Sequence, residues 1–247
     1  MRYSSYIRPV EGASTAVLFI HGIVGTPAHF KDLLPLIPDS WSVYNILLDG
    51  HGKQVEDFAR TSMAKWKQQV ADQLEQILET HDKVLIVAHS MGTLFAIAEA
   101  IKHPQHVKGL LLLAVPLTPR VRFSAAVNSV IVALGRARPG TPAMDIYQDS
   151  GVHLSPKLWK YITWLPRFWE LITEARATRK KLPLLTVPCR CFQSRKDELV
   201  SRRACRLLTG QHHIVTTELQ NSGHFRYGPE DLTLLQSVLK EMIDAIA

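Results

Sequence analysis

The stretch Lys83-Val-Leu-Ile-Val-Ala-His-Ser-Met-Gly92 constrains the fold of this chain more than any other. An apolar run leads directly into Ser90, and a helix-compatible sequence without proline follows to Lys102. That is the form of a nucleophile elbow, a sharp strand-to-helix turn that lifts a serine hydroxyl above a parallel sheet. The usual pattern is G-x-S-x-G; here it reads Ala88-His89-Ser90-Met91-Gly92, with the second glycine present and alanine in place of the first. Small residues are needed at both places because the turn is strained and backbone passes close by. Alone the motif is suggestive; the chain must also supply a base, an acid and an oxyanion hole.

Further apolar runs flank this segment. Thr15–Ile20 ends at His21-Gly22, and Trp41–Leu48 ends at Asp49-Gly50-His51-Gly52. Gly109–Val115, Pro188–Gln193 and His213–Leu219 bring the number of strand-like runs to six. Continuous apolar runs bounded by Gly or Pro fit strands buried on both faces. Between them, Met63, Trp66, Val70, Leu74, Ile77 and Leu78 recur at three- and four-residue steps, one face of an amphipathic helix. The last helix opens at Gly228-Pro229-Glu230-Asp231 and carries a stripe of Leu232, Leu235, Leu239, Met242 and Ile246. Strands alternating with helices imply right-handed crossovers and a parallel sheet covered on both faces.

Residues 117–181 break this rhythm. They hold five prolines and three of the five tryptophans, far more chain than one crossover needs. The expected organisation is an α/β core of residues 1–116 plus 182–247, with 117–181 as a helical insertion over the carboxyl ends of the strands, where open α/β sheets bind ligands. The chain's net charge of +7 also lies there: 117–181 holds 11 Lys/Arg against 4 Asp/Glu, and the remainder is neutral. A solvated basic surface and a preference for anionic esters or lipid both fit that surplus. Phe123, Val127, Trp159 and Trp164 are candidates for the apolar wall of an acyl pocket.

Other classes find less support. No apolar run approaches the ~18 residues that cross a bilayer, and the N-terminus has no apolar leader segment. Three cysteines make no disulfide framework. Cys189 and Cys191, two apart in a strand, read as small core residues; no further ligands stand nearby for a metal. A reducing, cytoplasmic setting is expected. No nucleic-acid motif accompanies the positive charge.

A serine hydroxyl is a poor nucleophile at neutral pH and needs a histidine to take its proton and an acid to orient that histidine. His224 lies after the last strand in Ser222-Gly-His-Phe225. Asp197 follows the fifth strand in Lys196-Asp-Glu-Leu-Val200, and the loop after the fourth strand offers no carboxylate. Glu198, the runner-up acid, would point elsewhere if Asp197 faces the site. Ser90, Asp197 and His224 thus come in the chain order such turns use. The backbone N–H of Met91 is one expected oxyanion donor; that of Ile23, in the Gly-rich loop after the first strand, is the other. His21, His51 and His89 are expected to hold loops in place.

These motifs together resemble the α/β-hydrolase superfamily, especially small bacterial carboxylesterases and monoacylglycerol lipases with a short helical cap. The resemblance rests on Phe19-Ile-His-Gly-Ile23, Leu48-Asp-Gly-His-Gly52, Ala88-His-Ser-Met-Gly92, Lys196-Asp-Glu-Leu-Val200 and Ser222-Gly-His-Phe225 in the family's order. It implies an α/β-hydrolase fold with a mostly parallel sheet of six or slightly more strands in sequential order 2-1-3-4-5-6. It also implies a Ser90–Asp197–His224 triad, no cofactor, and a small-molecule acyl ester as substrate. Alternatives are a serine aminopeptidase or a C–C bond hydrolase on the same residues and, least favoured, a non-catalytic binding module. The basic insertion speaks against an aminopeptidase, which needs acidic groups for the substrate's ammonium.

Overall fold

A computed structural model of the protein describes residues 3–119, 123–201 and 203–247. Arg120 and Arg122, which contribute to the basic surplus, lie outside the described residues. The strands are β1 (Tyr6–Arg8), β2 (Thr15–Ile20), β3 (Ser42–Ile46), β4 (Lys83–His89), β5 (Val107–Leu113), β6 (Cys189–Ser194) and β7 (Ile214–Leu219). They form one seven-stranded sheet in the order β1-β3-β2-β4-β5-β6-β7. From β3 to β7 all neighbours are parallel, which is the expected 2-1-3-4-5-6 order. The additional strand, β1, is a three-residue antiparallel edge on β3. It is short and largely exposed, so it carries no apolar signature in sequence.

The helices are α1 (Val55–Arg60), α2 (Met63–Leu78), α3 (Met91–Lys102), α4 (Phe123–Ala133), α5 (Pro142–Asp149), α6 (Leu165–Lys181), α7 (Arg203–Thr209) and α8 (Pro229–Ile246). Local chemistry sets several of their ends. The Ser62 hydroxyl accepts from the Lys65 N–H at 3.2 Å and caps α2. Pro229 opens α8, with Glu230 and Asp231 in its positive first turn.

Alternate residues of each central strand face opposite layers. Leu18, Ile86 and Leu110 pack with Trp66, Leu74 and Phe95 under α2 and α3. Phe19, Val87 and Leu111 pack with Leu235 and Leu239 of α8 on the other side. Every one of these strand residues is fully buried, and each large apolar side chain so placed contributes roughly 1.5–3 kcal/mol. The stripe of α8 differs from the expectation only at Leu232, which is half-buried, while Ile243 joins the buried set. Two packed layers fix the sheet, and its carboxyl edge presents the loops that follow β2, β4, β6 and β7.

Between β5 and β6 the chain is helical: α4, α5, a 3-10 segment Leu158–Trp164, and α6. α6 packs on α2 and α3, with Leu171 and Ala175 buried in the same core layer. No helix among the described residues is long and apolar enough to cross a membrane.

Candidate active site

Ser90 stands between β4 and α3 with φ 48° and ψ −123°, a conformation that L-residues rarely adopt. Its N–H donates to the Leu113 carbonyl at 2.8 Å, and its own carbonyl accepts from Thr93 N–H and Oγ1. The turn is thereby tied to β5 and to the first turn of α3. A Cβ at Gly92 would overlap the Ile20 carbonyl oxygen, which is why this elbow position is glycine. Ala88 lies two residues before Ser90, inside the strand. It pairs regularly with Ile20 and Leu112, so its Cβ is accommodated.

The structure brings Ser90, His224 and Asp197 together from three distant segments. His224 Nε2 is 3.1 Å from Ser90 Oγ, and His224 Nδ1 is 2.9 Å from Asp197 Oδ2. A carboxylate oxygen only accepts, so Nδ1 carries the hydrogen and Nε2 is left to accept from the serine hydroxyl. The second oxygen of Asp197 accepts from the Leu199 and Val200 N–H groups, both at 2.8 Å, which fixes the carboxyl plane. Glu198 does point elsewhere: its Oε2 accepts from the His224 backbone N–H at 3.0 Å and so holds the loop that carries His224. Burial opposes charge on His224, but Asp197, joined by Glu198 and Asp149, outweighs it and raises the imidazole's pKa above the ordinary 6.5. Ser90, His224 and Asp197 are only 5%, 3% and 3% exposed, so the constellation is shielded from bulk water.

The two oxyanion candidates, Met91 and Ile23, lie on the two segments that meet at Ser90. Met91 is the first residue of α3, so its N–H has no intrahelical partner. Ile23 follows Gly22, at which a Cβ would stand 2.8 Å from the Ser90 Cβ. The Gly-rich loop therefore passes directly against the serine.

The flanking histidines hold loops, as expected. His21 Nε2 accepts from Leu48 N–H at 3.0 Å while Nδ1 donates to Gly22 O at 2.8 Å. His51 Nδ1 bonds the carbonyls of Leu48 and Asp49. Burial pushes His21 well below the ordinary histidine range and His51 down to about 4. His89 Nε2 donates to the His224 carbonyl at 3.0 Å. Cys189 and Cys191 are buried free thiols with sulfurs 3.4 Å apart.

The four apolar side chains expected along an acyl wall fall into two groups. Trp164 is buried and used for packing: its indole N–H donates to Val55 O at 2.9 Å and its ring meets Phe58. Phe123 and Trp159 are 85% and 65% exposed and Val127 is 41% exposed, so in this conformation these three are surface residues. Helical periodicity reveals that one face of such a segment is apolar, not whether that face meets core, pocket or solvent.

Sequence reading missed two groups. Asp231, in the first turn of α8, accepts from Ser222 Oγ at 2.6 Å and from the N–H groups of Gln220 and Asn221, and so organises the His224 loop. Its place behind Gly228-Pro229 was the available signal. The second is a buried cluster beside the site. His29 Nδ1 lies 2.9 Å from Asp149 Oδ1, His29 Nε2 lies 3.1 Å from the Tyr227 hydroxyl, and the His29 ring stacks on His89 at 3.8 Å. Asp149 is 120 residues from His29, and nothing local marks the pairing. Ligand atoms of His29, His89 and Asp149 lie within 4.8 Å of one another. The two imidazoles are stacked at 24°, however, so one ion cannot lie in the plane of both rings, and the cluster is poorly shaped for a metal. His29, Asp149, Phe225 and Tyr227 also border a cavity of about 470 Å³.

An elbow serine, a loop-borne histidine and an acid after β6, all on the carboxyl edge of this sheet, define the class of protein. The chain belongs to the alpha/beta hydrolase family, whose sequence profile matches residues 17–231. A thermostable monoacylglycerol lipase from Bacillus sp. (strain H-257) is 26% identical over 196 residues, 77% of this chain and 73% of that protein. Three other curated relatives are matched over 31% to 39% of their own length. Two solved structures share the fold. A metagenome-derived lipolytic enzyme superposes with a TM-score of 0.73 at 19% identity, covering 98% of both chains. A monoacylglycerol lipase from Paleococcus ferrophilus does so at 0.67 and 16% identity, covering 97% of this chain and 98% of that one.

Proposed function

We propose that the protein is a serine carboxylesterase that hydrolyses short- to medium-chain acyl esters, monoacylglycerols among them. The observation that carries this reading is the unbroken hydrogen-bond line Ser90 Oγ–His224 Nε2, His224 Nδ1–Asp197 Oδ2. Ser90 Oγ attacks the ester carbonyl carbon as its proton passes to His224 Nε2. The N–H groups of Ile23 and Met91 donate to the oxyanion, a contribution of about 3–4 kcal/mol per donor in enzymes of this chemistry. His224 then protonates the leaving alkoxide, and the acyl group stays on Ser90. Water, deprotonated by His224, attacks the acyl-enzyme, and the released serine takes the proton back. Asp197 holds the tautomer throughout and stabilises the transient imidazolium.

Residues 117–181 serve in this reading as a cap over the carboxyl edge, with 1–116 and 182–247 as the hydrolytic core. The low exposure of Ser90 and the anchoring of α6 on the core support it. The similarity to a Bacillus monoacylglycerol lipase over most of both chains supports an acyl ester as substrate. Cys189 and Cys191, buried thiols that form no disulfide, favour a cytoplasmic setting.

The test is hydrolysis of p-nitrophenyl esters of increasing chain length by the wild-type protein and by Ser90→Ala. The reading requires turnover with a chain-length optimum that disappears in the variant. Ester turnover that survives Ser90→Ala refutes it.

A further inference from the structure

The oxyanion loop is held from above by the helical insertion. Val24, in the middle of that loop, has φ 57°, a strained conformation for a β-branched residue that persists only where surroundings impose it. What imposes it is the segment leaving α5. Gly151 N–H donates to the Val24 carbonyl at 2.7 Å, while the Gly151 carbonyl accepts from Gly52 N–H at 2.6 Å. His153 N–H donates to the Lys53 carbonyl at 2.9 Å. The contact is so close that a Cβ at Gly151 would overlap the Gly25 carbonyl oxygen. Two residues earlier, Asp149 bonds His29, which lies just beyond the loop and stacks on His89; His89 in turn donates to the backbone carbonyl of His224.

We infer that residues 149–153 are a strap that positions the oxyanion loop and the His29–His89 stack behind the base, with Gly151 and Asp149 as its positioning residues. This deepens the serine-esterase reading and rests on it. Neither residue touches the reacting atoms. The strap acts through Val24, which is adjacent to the proposed donor Ile23, and through His89, which is adjacent to Ser90. The insertion is thereby fixed to the core at this end, and its approach to the site is coupled to the alignment of the oxyanion donor.

Misplacing one oxyanion donor in enzymes of this chemistry costs about 10²–10³ in kcat. Gly151→Ala, which pushes Gly25 and Val24 aside, is expected to lower kcat on p-nitrophenyl butyrate about 10²-fold, with KM within about 3-fold of wild type. Asp149→Ala is the second variant, should the first not fold. It is expected to lower kcat about 10-fold at unchanged KM, and Asp149→Asn, which keeps an acceptor for His29 Nδ1–H, to return kcat to within about 3-fold of wild type. A trifluoromethyl ketone, whose adduct with Ser90 places an oxyanion in the same hole, should lose affinity in step with kcat. Unchanged kcat and inhibitor affinity in a folded Asp149→Ala, or equal loss in Asp149→Asn, overturns the strap. Hydrolysis that persists in Ser90→Ala removes instead the reading beneath it.

Discussion

The sheet core and the helical insertion obey different rules. In the core, β2, β4 and β5 are buried on both faces, and the residues at their carboxyl ends are set by backbone bonds and close approaches that admit little choice. In the insertion, α4 and the segment Leu158–Trp164 present Phe123, Val130, Trp159 and Ile162 to solvent. The core has one solution because its side chains have no alternative to one another. Among the described residues, these apolar side chains of the insertion stay exposed in this conformation. The insertion's contacts with the core include packing along α6, the Trp164 ring against Phe58, the Asp149–His29 pair, and the hydrogen bond of Gly151 to the loop after β2.

Four substitutions and conditions would break or sharpen that contrast. The largest effect is expected at Asp197→Asn, which leaves the shape intact but permits the wrong tautomer of His224: kcat should fall by about 10⁴. Residual activity should have its acid inflection moved down. In the wild type the base must be neutral, and Asp197 raises its pKa, so kcat/KM should fall with acidification from a point above 6.5. An unmoved inflection in the variant would mean that another group controls it.

Next comes Leu110→Ala in the centre of β5, expected to lower unfolding free energy by about 2–5 kcal/mol in urea titration. A loss under 1 kcal/mol would show the core to be less tightly determined than its burial implies.

Acid should act on the core as well. His51 is neutral in the fold, with its pKa lowered from 6.5 to about 4, so its neutral form contributes stability that is complete above pH 6.5 and is lost as pH falls toward 4. The loss is on the order of 3 kcal/mol, and His21 and His89, also lowered by burial, act in the same direction. Equal urea midpoints at pH 7 and pH 5 would contradict this.

The smallest effect belongs to the insertion. Trp159→Ala, at a side chain 65% exposed, should change stability by no more than about 0.5 kcal/mol. A large loss would mean that this surface is packed in solution.

The division explains what could be read from the sequence. Strand order, the elbow and the loops of His224 and Asp197 were legible because each follows a local rule: an apolar run, a glycine where backbone crowds, a loop directly after a strand. Ala88 illustrates the limit of motif matching, since its position lies inside a regular strand and tolerates a methyl group. β1 escaped notice because a three-residue edge strand buries almost nothing. Trp164 packs against Phe58, a contact the sequence does not show, because periodicity does not say what a face meets. The His29–Asp149 pair and the Gly151–Val24 bond join segments more than a hundred residues apart, and only the folded chain brings them together.

The central claim is that Ser90 is the nucleophile. It is tested most directly by incubating the protein with a fluorophosphonate and locating the adduct by peptide mass spectrometry. The account predicts one adduct per chain, on Ser90, formed faster as pH rises through the pKa of His224 and absent from Ser90→Ala. An adduct on any other residue, or none on a folded protein, would contradict it.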